Sequence, residues 1–550
     1  MKPTHFLYIL LVLMLPFQVN AANSPTDNCI IHLNKSFYVS GEIIWYKIYL
    51  PEIFRQQDVS FDIKFVNEEG LLINDICLKN EGQTYLHGHY KLPFTVPSGY
   101  YHLLLFGTAK ETKKLVRLAE VTIPIYNDLE ENSISENTEV TEVITAQKAP
   151  NLSELQVILT YPEKVHKREK VAGQISVKDA LGKPVKATIS ISVKDVLLTG
   201  TSALPNLIVT PIRAIPPTAL KQKLAIKGFL NTSTGEPVKS NLLGYYSSKE
   251  QLLQYNRTDE QGYFLIDLAE FYGRKPIQFI AYESMDRQII FQEQFEVGKT
   301  NPLPYNKTIA NYLRLSQLRK KAYQYYDTQE CSIEQLLEDF TPKEWTDYRR
   351  IAIQTYNAFK DLPTFCTEVQ SALKFQLTEE ATYKANFQVK RYGDYEKNPR
   401  PPLFIIDGKL TRNADFVARI ALSKIEYLDV FSDLKKLRKQ FGPIGQYGTA
   451  IIQTKQGNTQ LSEREERNIF DISGYQRVVN FPIFDPNTTT AQPTLRPQIY
   501  WQPALETDST GKTDFSFFQS DDLGTFQIEI VVQSEAGEMG YGKWIYEVDY

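Results

Sequence analysis

His87-Gly88-His89 is the tightest grouping of chemically versatile side chains in this sequence. On a strand, residues i and i+2 share a face, so two imidazoles at that spacing could grip one metal ion. His32 and His102 fall in the same stretch and His166 lies further on. No carboxylate or cysteine stands at ligand spacing beside the pair. The reading is therefore of exposed strand or turn histidines, with no metal ligand assigned. Nucleophile–base catalysis needs a histidine beside a serine or cysteine in space. No local motif supplies one: a G-x-S-x-G elbow, a P-loop, an H-E-x-x-H helix and a dinucleotide-binding fingerprint are all missing. No catalytic residue and no cofactor is assigned, and the chain reads as non-enzymatic. An exported hydrolase or a metal-dependent binding module stays open as the alternative.

Cysteine is the other reactive group. Cys29, Cys77, Cys331 and Cys366 form two pairs separated by 48 and 35 positions, with no C-x-x-C spacing. Four cysteines allow three connectivities, and sequence does not choose among them. Locality favours Cys29–Cys77 and Cys331–Cys366, each worth about 3–4 kcal/mol if closed.

An oxidising compartment is expected because the first residues resemble an export signal. Lys2 precedes an apolar run from Phe6 to Pro16, and Val19-Asn20-Ala21 offers a cleavage site, so residues 1–21 are assigned as a signal peptide. No later stretch is apolar enough for a membrane span. The 550 residues carry 61 Lys plus Arg against 65 Asp plus Glu, a net charge of −4, which gives no support to phosphate-driven nucleic-acid binding. The basic run Lys435-Lys436-Leu437-Arg438-Lys439 reads as a solvated helix or loop face.

The elements that would have to position any site are short strands joined by similar turns. Asn67 to Gly70, Asp179 to Gly182, Asn231 to Gly235, Asp259 to Gly262 and Asp508 to Gly511 each place Asp or Asn before a Gly. The carboxylate or amide can bond the turning backbone, and Gly accepts positive φ. Around the second turn, Gln174 to Lys178 and Thr188 to Val193 alternate with a period of two, as half-buried strands do. Helical spacing comes later, at Leu313, Leu315, Leu318, Ala322 and Tyr325 and again at Trp345, Tyr348, Ile351 and Ala352. The expected fold class is mainly β: tandem immunoglobulin-like sandwiches with a small helical segment and an α+β unit.

Several stretches resemble known modules. Asn34-Lys35-Ser36-Phe37-Tyr38-Val39-Ser40-Gly41-Glu42 is similar to the opening D-K-P-x-Y-x-x-G-(D/E) strand of alpha-2-macroglobulin-type sandwiches, and Pro97 to Tyr101 resembles a later hairpin of the same domains. Arg168 to Asp195 resembles a second macroglobulin-like domain, and Tyr500-Trp501-Gln502-Pro503 through Phe526 a late one. Gly228 to Phe264 is similar to a carboxypeptidase-regulatory-like sandwich. Pro402 to Gly408, Ile425 to Val430 and Tyr447 to Lys455 resemble strands of a TonB-dependent receptor plug. Cys331 to Gln335 resembles the macroglobulin thioester only superficially, since Gln stands four positions on.

The resemblance implies this order: a sandwich over 25–127, an acidic linker over 128–152, a second sandwich over 153–215, and a regulatory-like sandwich over 220–299. A helical or mixed connector over 300–384, a plug-like domain over 385–456 and a C-terminal sandwich over 495–548 complete it. It also implies a family of Gram-negative envelope proteins. The expected role is a scaffold or accessory at the outer membrane, in the periplasm or at the cell surface, with an outer-membrane protein as partner. Without a barrel in cis, the plug-like surface is free, so the loops at Asp407, Gly408 and Lys409 and at Gly442, Gly445, Tyr447 and Gly448 are the candidate partner contacts.

Overall fold

A computed structural model describes residues 28–130, 154–198, 207–211, 216–281, 287–300, 302–326, 345–356, 358–369, 372–378, 384–390, 401–486 and 493–550. The expected signal peptide, Cys331 with the Cys331–Gln335 motif, and nearly all of the expected acidic linker lie outside the described residues. The molecule is mainly β, with several sheets and few helices. No helix among the described residues is long and apolar enough to cross a membrane.

The first sandwich packs two sheets. One orders the strands Leu207–Pro211, Asn28–Leu33, Ile43–Tyr49 and Tyr85–Lys91. The other orders Tyr38–Val39, Leu115–Tyr126, Gly99–Thr108, Asp58–Asn67 and Leu72–Glu81. Alternation sends Ile44, Tyr46 and Ile48 into the core with Phe61, Leu103 and Ile123. The intervening Trp45, Lys47 and Tyr49 therefore face the other way, yet they too are buried. What buries them is the second sandwich.

That second sandwich corrects the expected domain order. The segments read as separate units at 153–215 and 495–548 are one domain. Its five-stranded sheet runs Lys164–His166, Met539–Asp549, Gly524–Ser534, Ala187–Asp195 and Gln498–Glu506, interleaving the two segments. Its three-stranded sheet sets Lys512–Phe518 beside Lys170–Lys178 and Gln156–Thr160. Four strands per segment cannot close a core alone. Val171, Ile189 and Ile191 from one half meet Phe515, Phe526 and Ile530 from the other. The strand Leu207–Pro211, expected in the second unit, instead edges the first.

The third sandwich spans Ala225–Ile290 and is completed by a strand from far along the chain, Ile469–Ser473, paired with Arg274–Ala281. Phe264, Phe279 and Ile266 fill it. An α+β unit follows. Its sheet orders Arg349–Ala352, Ile425–Phe431, Thr449–Thr454, Leu403–Ile406 and Lys409–Thr411. Leu403-Phe404-Ile405-Ile406 is apolar without alternation because both faces are covered: Phe404 and Ile406 by the unit's own core, Leu403 and Ile405 by a cluster containing Tyr246 and Leu253 of the third sandwich.

The helix expected near Leu313 forms over Lys307–Tyr325, capped by the Asn306 side chain accepting from Ile309 N. Its buried face is Ile309, Tyr312, Leu313, Ser316 and Arg319, while Leu318 and Tyr325 are exposed. The second expected helix is a strand. Trp345 stacks on Phe441 at 4.7 Å and Tyr348 lies against Phe431, so Arg349–Ala352 adds to the sheet edge. All five turn glycines, at 70, 182, 235, 262 and 511, have φ between 71° and 89°. At four of them the preceding Asn or Asp bonds two backbone N–H groups, as Asp259 does from Gln261 and Tyr263 at 2.8 and 2.9 Å.

The expected Cys29–Cys77 disulfide does not form. Cys29 is buried in the first core, whereas Cys77 points toward the third sandwich, its thiol 3.6 Å from Asp62 Oδ1. Both thiols are pushed far up by burial. Adjacent parity on facing strands put them in different layers, which spacing along the chain could not show. Cys366 is a buried free thiol in the α+β core.

Candidate functional site

The two loops of the α+β unit named as candidate contacts are largely half-buried and bonded. Asp407 has φ 47°, and its carboxylate accepts from Thr454 N and Oγ1 at 2.7 and 2.6 Å and from Thr459 N at 3.0 Å. Those bonds hold it below its ordinary range although burial opposes them. Gly408 sits against Ser248, Lys409 pairs with Glu466 at 2.7 Å, and Leu410 exchanges two hydrogen bonds with Gln278. Gly442, at φ 58°, has no room for a Cβ beside the Tyr255 ring, whose hydroxyl bonds Phe441 O. Gly445 packs on Phe441 and Gly448 on Val389. Tyr447 lies in the same turn and is half-buried. These residues thus join the α+β unit to the third sandwich and to itself.

His32 and His102 are interior, His87 and His89 are half-buried, and His166 is exposed. His87 and His89 share a strand face, as their spacing requires, but His89 lies 5.1 Å from the Trp45 ring and His87 near Tyr85. Burial pushes both down to about 4. Among the described residues no group of three or more His, Cys, Asp or Glu could hold a metal ion. His32 does meet a serine: its Nδ1 is 2.6 Å from Ser190 Oγ, across the contact between the first two sandwiches. That is the spacing of a nucleophile–base pair, but both residues are 0% exposed and Tyr49 OH also bonds Ser190, at 2.7 Å. No substrate reaches a sealed pair. His102 is equally buried, 3.0 Å from Glu120.

The contact holding His32 mixes apolar side chains, among them Trp501 and Val531, with a buried polar network. Lys47 donates to Thr188 Oγ1 at 2.8 Å, Ser192 and Lys194 donate to Asn34 O, and Lys194 pairs with Glu529 at 2.5 Å. Burial lowers His32 to about 3, with Lys194 and Lys47 adding to that and Glu529 opposing it. The unfolded chain thus binds the proton first, between about pH 6.5 and 3, so stability is lost as pH falls through that window. The expected slope from His32 is roughly 1.4 kcal/mol per pH unit there. Urea melts at pH 7 and pH 4.5 should show a steeper acid loss for the parent than for His32→Leu; equal losses would contradict it.

The open site is one that sequence reading missed. A cleft of about 420 Å³ lies between the first sandwich, the Lys307–Tyr325 helix and the residues Phe481, Pro482, Arg496, Pro497 and Gln498. The nine-residue stretch resembling a macroglobulin opening strand forms its floor. Tyr38 OH and Trp45 N both bond Asn34 Oδ1, at 2.6 and 3.0 Å, and Gly41 turns at φ 83°. Lys35 and Glu42 are thereby set side by side at 2.6 Å. Burial drives the Glu42 carboxyl up, but Lys35, together with Tyr312 OH at 2.6 Å and Val39 N at 2.8 Å, outweighs it and holds the group ionised. The helix adds Lys320, bonded to Asp128 at 2.6 Å, and Ser316, donating to the other Asp128 oxygen at 3.0 Å. Asp128 was expected in a solvated linker; its side chain is instead fully buried. Trp45, Phe94, Tyr312, Tyr323 and Phe481 supply the aromatic lining. The only signal that could have pointed here was the motif itself; the other walls lie hundreds of positions away.

Comparisons with known proteins add little beyond β-rich character. No family model matches the chain, and no curated protein does. Among solved structures, an alpha-2-macroglobulin from Salmonella reacted with methylamine shares 9% identity over 95% of this chain and 39% of its own, at a TM-score of 0.24. Trypsin-activated alpha-2-macroglobulin from Escherichia coli shares 8% over 96% of this chain and 42% of its own, also at 0.24. The Escherichia coli protein activated by porcine elastase shares 9% over 94% and 43%, again at 0.24. The chain therefore spans about two fifths of the length of the macroglobulins to which it is similar, and at that TM-score its architecture rests on the sheets described above.

Proposed function

We propose that this protein is a non-enzymatic scaffold or accessory of the Gram-negative envelope, exported by its leader, acting through protein–protein contacts at the outer membrane. The cleft carries this reading. It is wide enough for a ligand, and among the described residues its lining of aromatic and charged side chains contains no histidine or cysteine. Such a lining suits recognition rather than nucleophilic chemistry. The sandwiches suit a frame: distant segments interleave, and the cleft is lined by Ile43 and Trp45 from one part of the chain and Gln498 from another. The plug-like unit serves as a further rigid module docked on the regulatory-like sandwich, and the cleft is the main partner contact.

A photo-reactive residue in place of Phe94, which is 54% exposed at the cleft, tests this in the native envelope, with Leu181 on a distant turn as control. The expected result is cross-linking of one outer-membrane protein from position 94 and not from 181, followed by direct binding of the purified pair. Fractionation of the protein outside the envelope, or equal labelling from both positions, would overturn the reading.

A further inference from the structure

We infer that the cleft binds an organic anion, a carboxylate or phosphate ester carried on a ring-bearing apolar body. The inference rests on the cleft being the working site and adds the chemistry of its occupant. Among the described residues, five cations line the cleft. Three are matched: Lys35 by Glu42 at 2.6 Å, Lys320 by Asp128 at 2.6 Å, and Arg319 by Asp522 at 3.7 Å. Two are not. Lys91 is exposed, with no ion pair among the described residues. Arg496 donates to the Pro482 carbonyl at 3.1 Å and lies 5.6 Å from the Phe484 ring, with no carboxylate in ion-pair reach among the described residues.

The matched pairs matter as much as the unmatched cations. Glu42 accepts from Lys35, Tyr312 and Val39, and Asp128 from Ser316 and Lys320. The acids nearest the cleft are thereby neutralised in place and do not cancel Lys91 and Arg496. A cationic surplus in a partly enclosed, low-dielectric space attracts an anion more strongly than the same charges on an open surface. The Trp45 and Phe481 rings, 5.5 Å apart edge to face, offer the apolar body a wall, and Phe94 another. About 420 Å³ accommodates a ligand of this kind with room to spare.

The test titrates the purified full chain by calorimetry with N-acetylphenylalanine, its neutral amide, phenyl phosphate and the tripeptide Ala-Ala-Phe with a free carboxylate. Either small anion should bind at least about tenfold more tightly than the amide. Lys91→Glu should remove that preference while leaving the melting temperature unchanged, since Lys91 is exposed and has no ion pair among the described residues. A tripeptide tighter than the acetylated amino acid would support the inference and assign the anion to a polypeptide end; equal binding would support it and assign a small acid. An amide as tight as the acid, no binding up to about 10 mM, or a preference unaffected by Lys91→Glu would overturn it. Cross-linking from position 94 would survive any of those outcomes, so the scaffold reading fails or stands separately.

Discussion

Deleting residues 495–550 should unfold the second sandwich rather than trim a domain from the end of a chain. The deletion removes the strands Gln498–Glu506, Lys512–Phe518, Gly524–Ser534 and Met539–Asp549. Both neighbours of Ala187–Asp195 go with it, at Thr188↔Glu506 on one side and Thr188↔Gln533 on the other. Val171, Ile175, Ile189, Ile191 and Val193 would lose the Phe515, Phe526 and Ile530 side that covers them. An exposed strand pair of that length is marginal alone, and its apolar face would aggregate or be cleaved. Hydrogen exchange on the truncated chain should therefore show protection lost throughout residues 154–198 but kept in the strands Asp58–Asn67 and Gly99–Thr108, whose sheet needs no C-terminal strand. Adding the 495–550 segment as a separate peptide should restore it. Protection of 154–198 in the truncated monomer would show that the interleaving is not required.

The second large effect is expected at Lys194 and Glu529, a pair whose side chains are 0% and 2% exposed. Lys194 also donates to Asn34 O at 3.1 Å, and Glu529 accepts from Tyr541 OH at 3.3 Å, so the pair ties the central strands of the second sandwich to the first. Removing one partner strands a charge where water cannot reach it. Glu529→Leu or Lys194→Met alone should cost about 3–5 kcal/mol. The double variant should recover most of that, because no lone charge remains; what stays lost is the Asn34 and Tyr541 hydrogen bonds, about 1 kcal/mol each. Urea melts of the four proteins measure the cycle. Single variants costing less than about 1 kcal/mol would place the pair in the solvent-exposed class instead.

What the sequence by itself determined was local. The Asx–Gly turns are legible because one carboxylate or amide and one positive φ suffice to make them, as Asp179-Ala180-Leu181-Gly182 shows. Strand character was legible in the alternation of Thr188 to Val193, and within the Asn34–Glu42 stretch the Asn34–Tyr38 bond and the Lys35–Glu42 pair are local. The tertiary structure alone decided what lies on the second face of each strand. Ser190 and Ser192 read as solvent-facing, yet they are buried against His32, Tyr49 and Asn34, since a polar face can be covered when its partner supplies matching donors and acceptors. Leu403 to Ile406 needed two covers, and which body supplied the second is a long-range choice that set Gly442 against Tyr255 and Leu410 against Gln278. The cleft was equally out of reach: Lys35, Lys320 and Arg496 are strangers in sequence. Strand pairing and burial are satisfied by any complementary segment, near or far along the chain, so pattern specifies the kind of surface each strand needs and folding selects the partner that meets it.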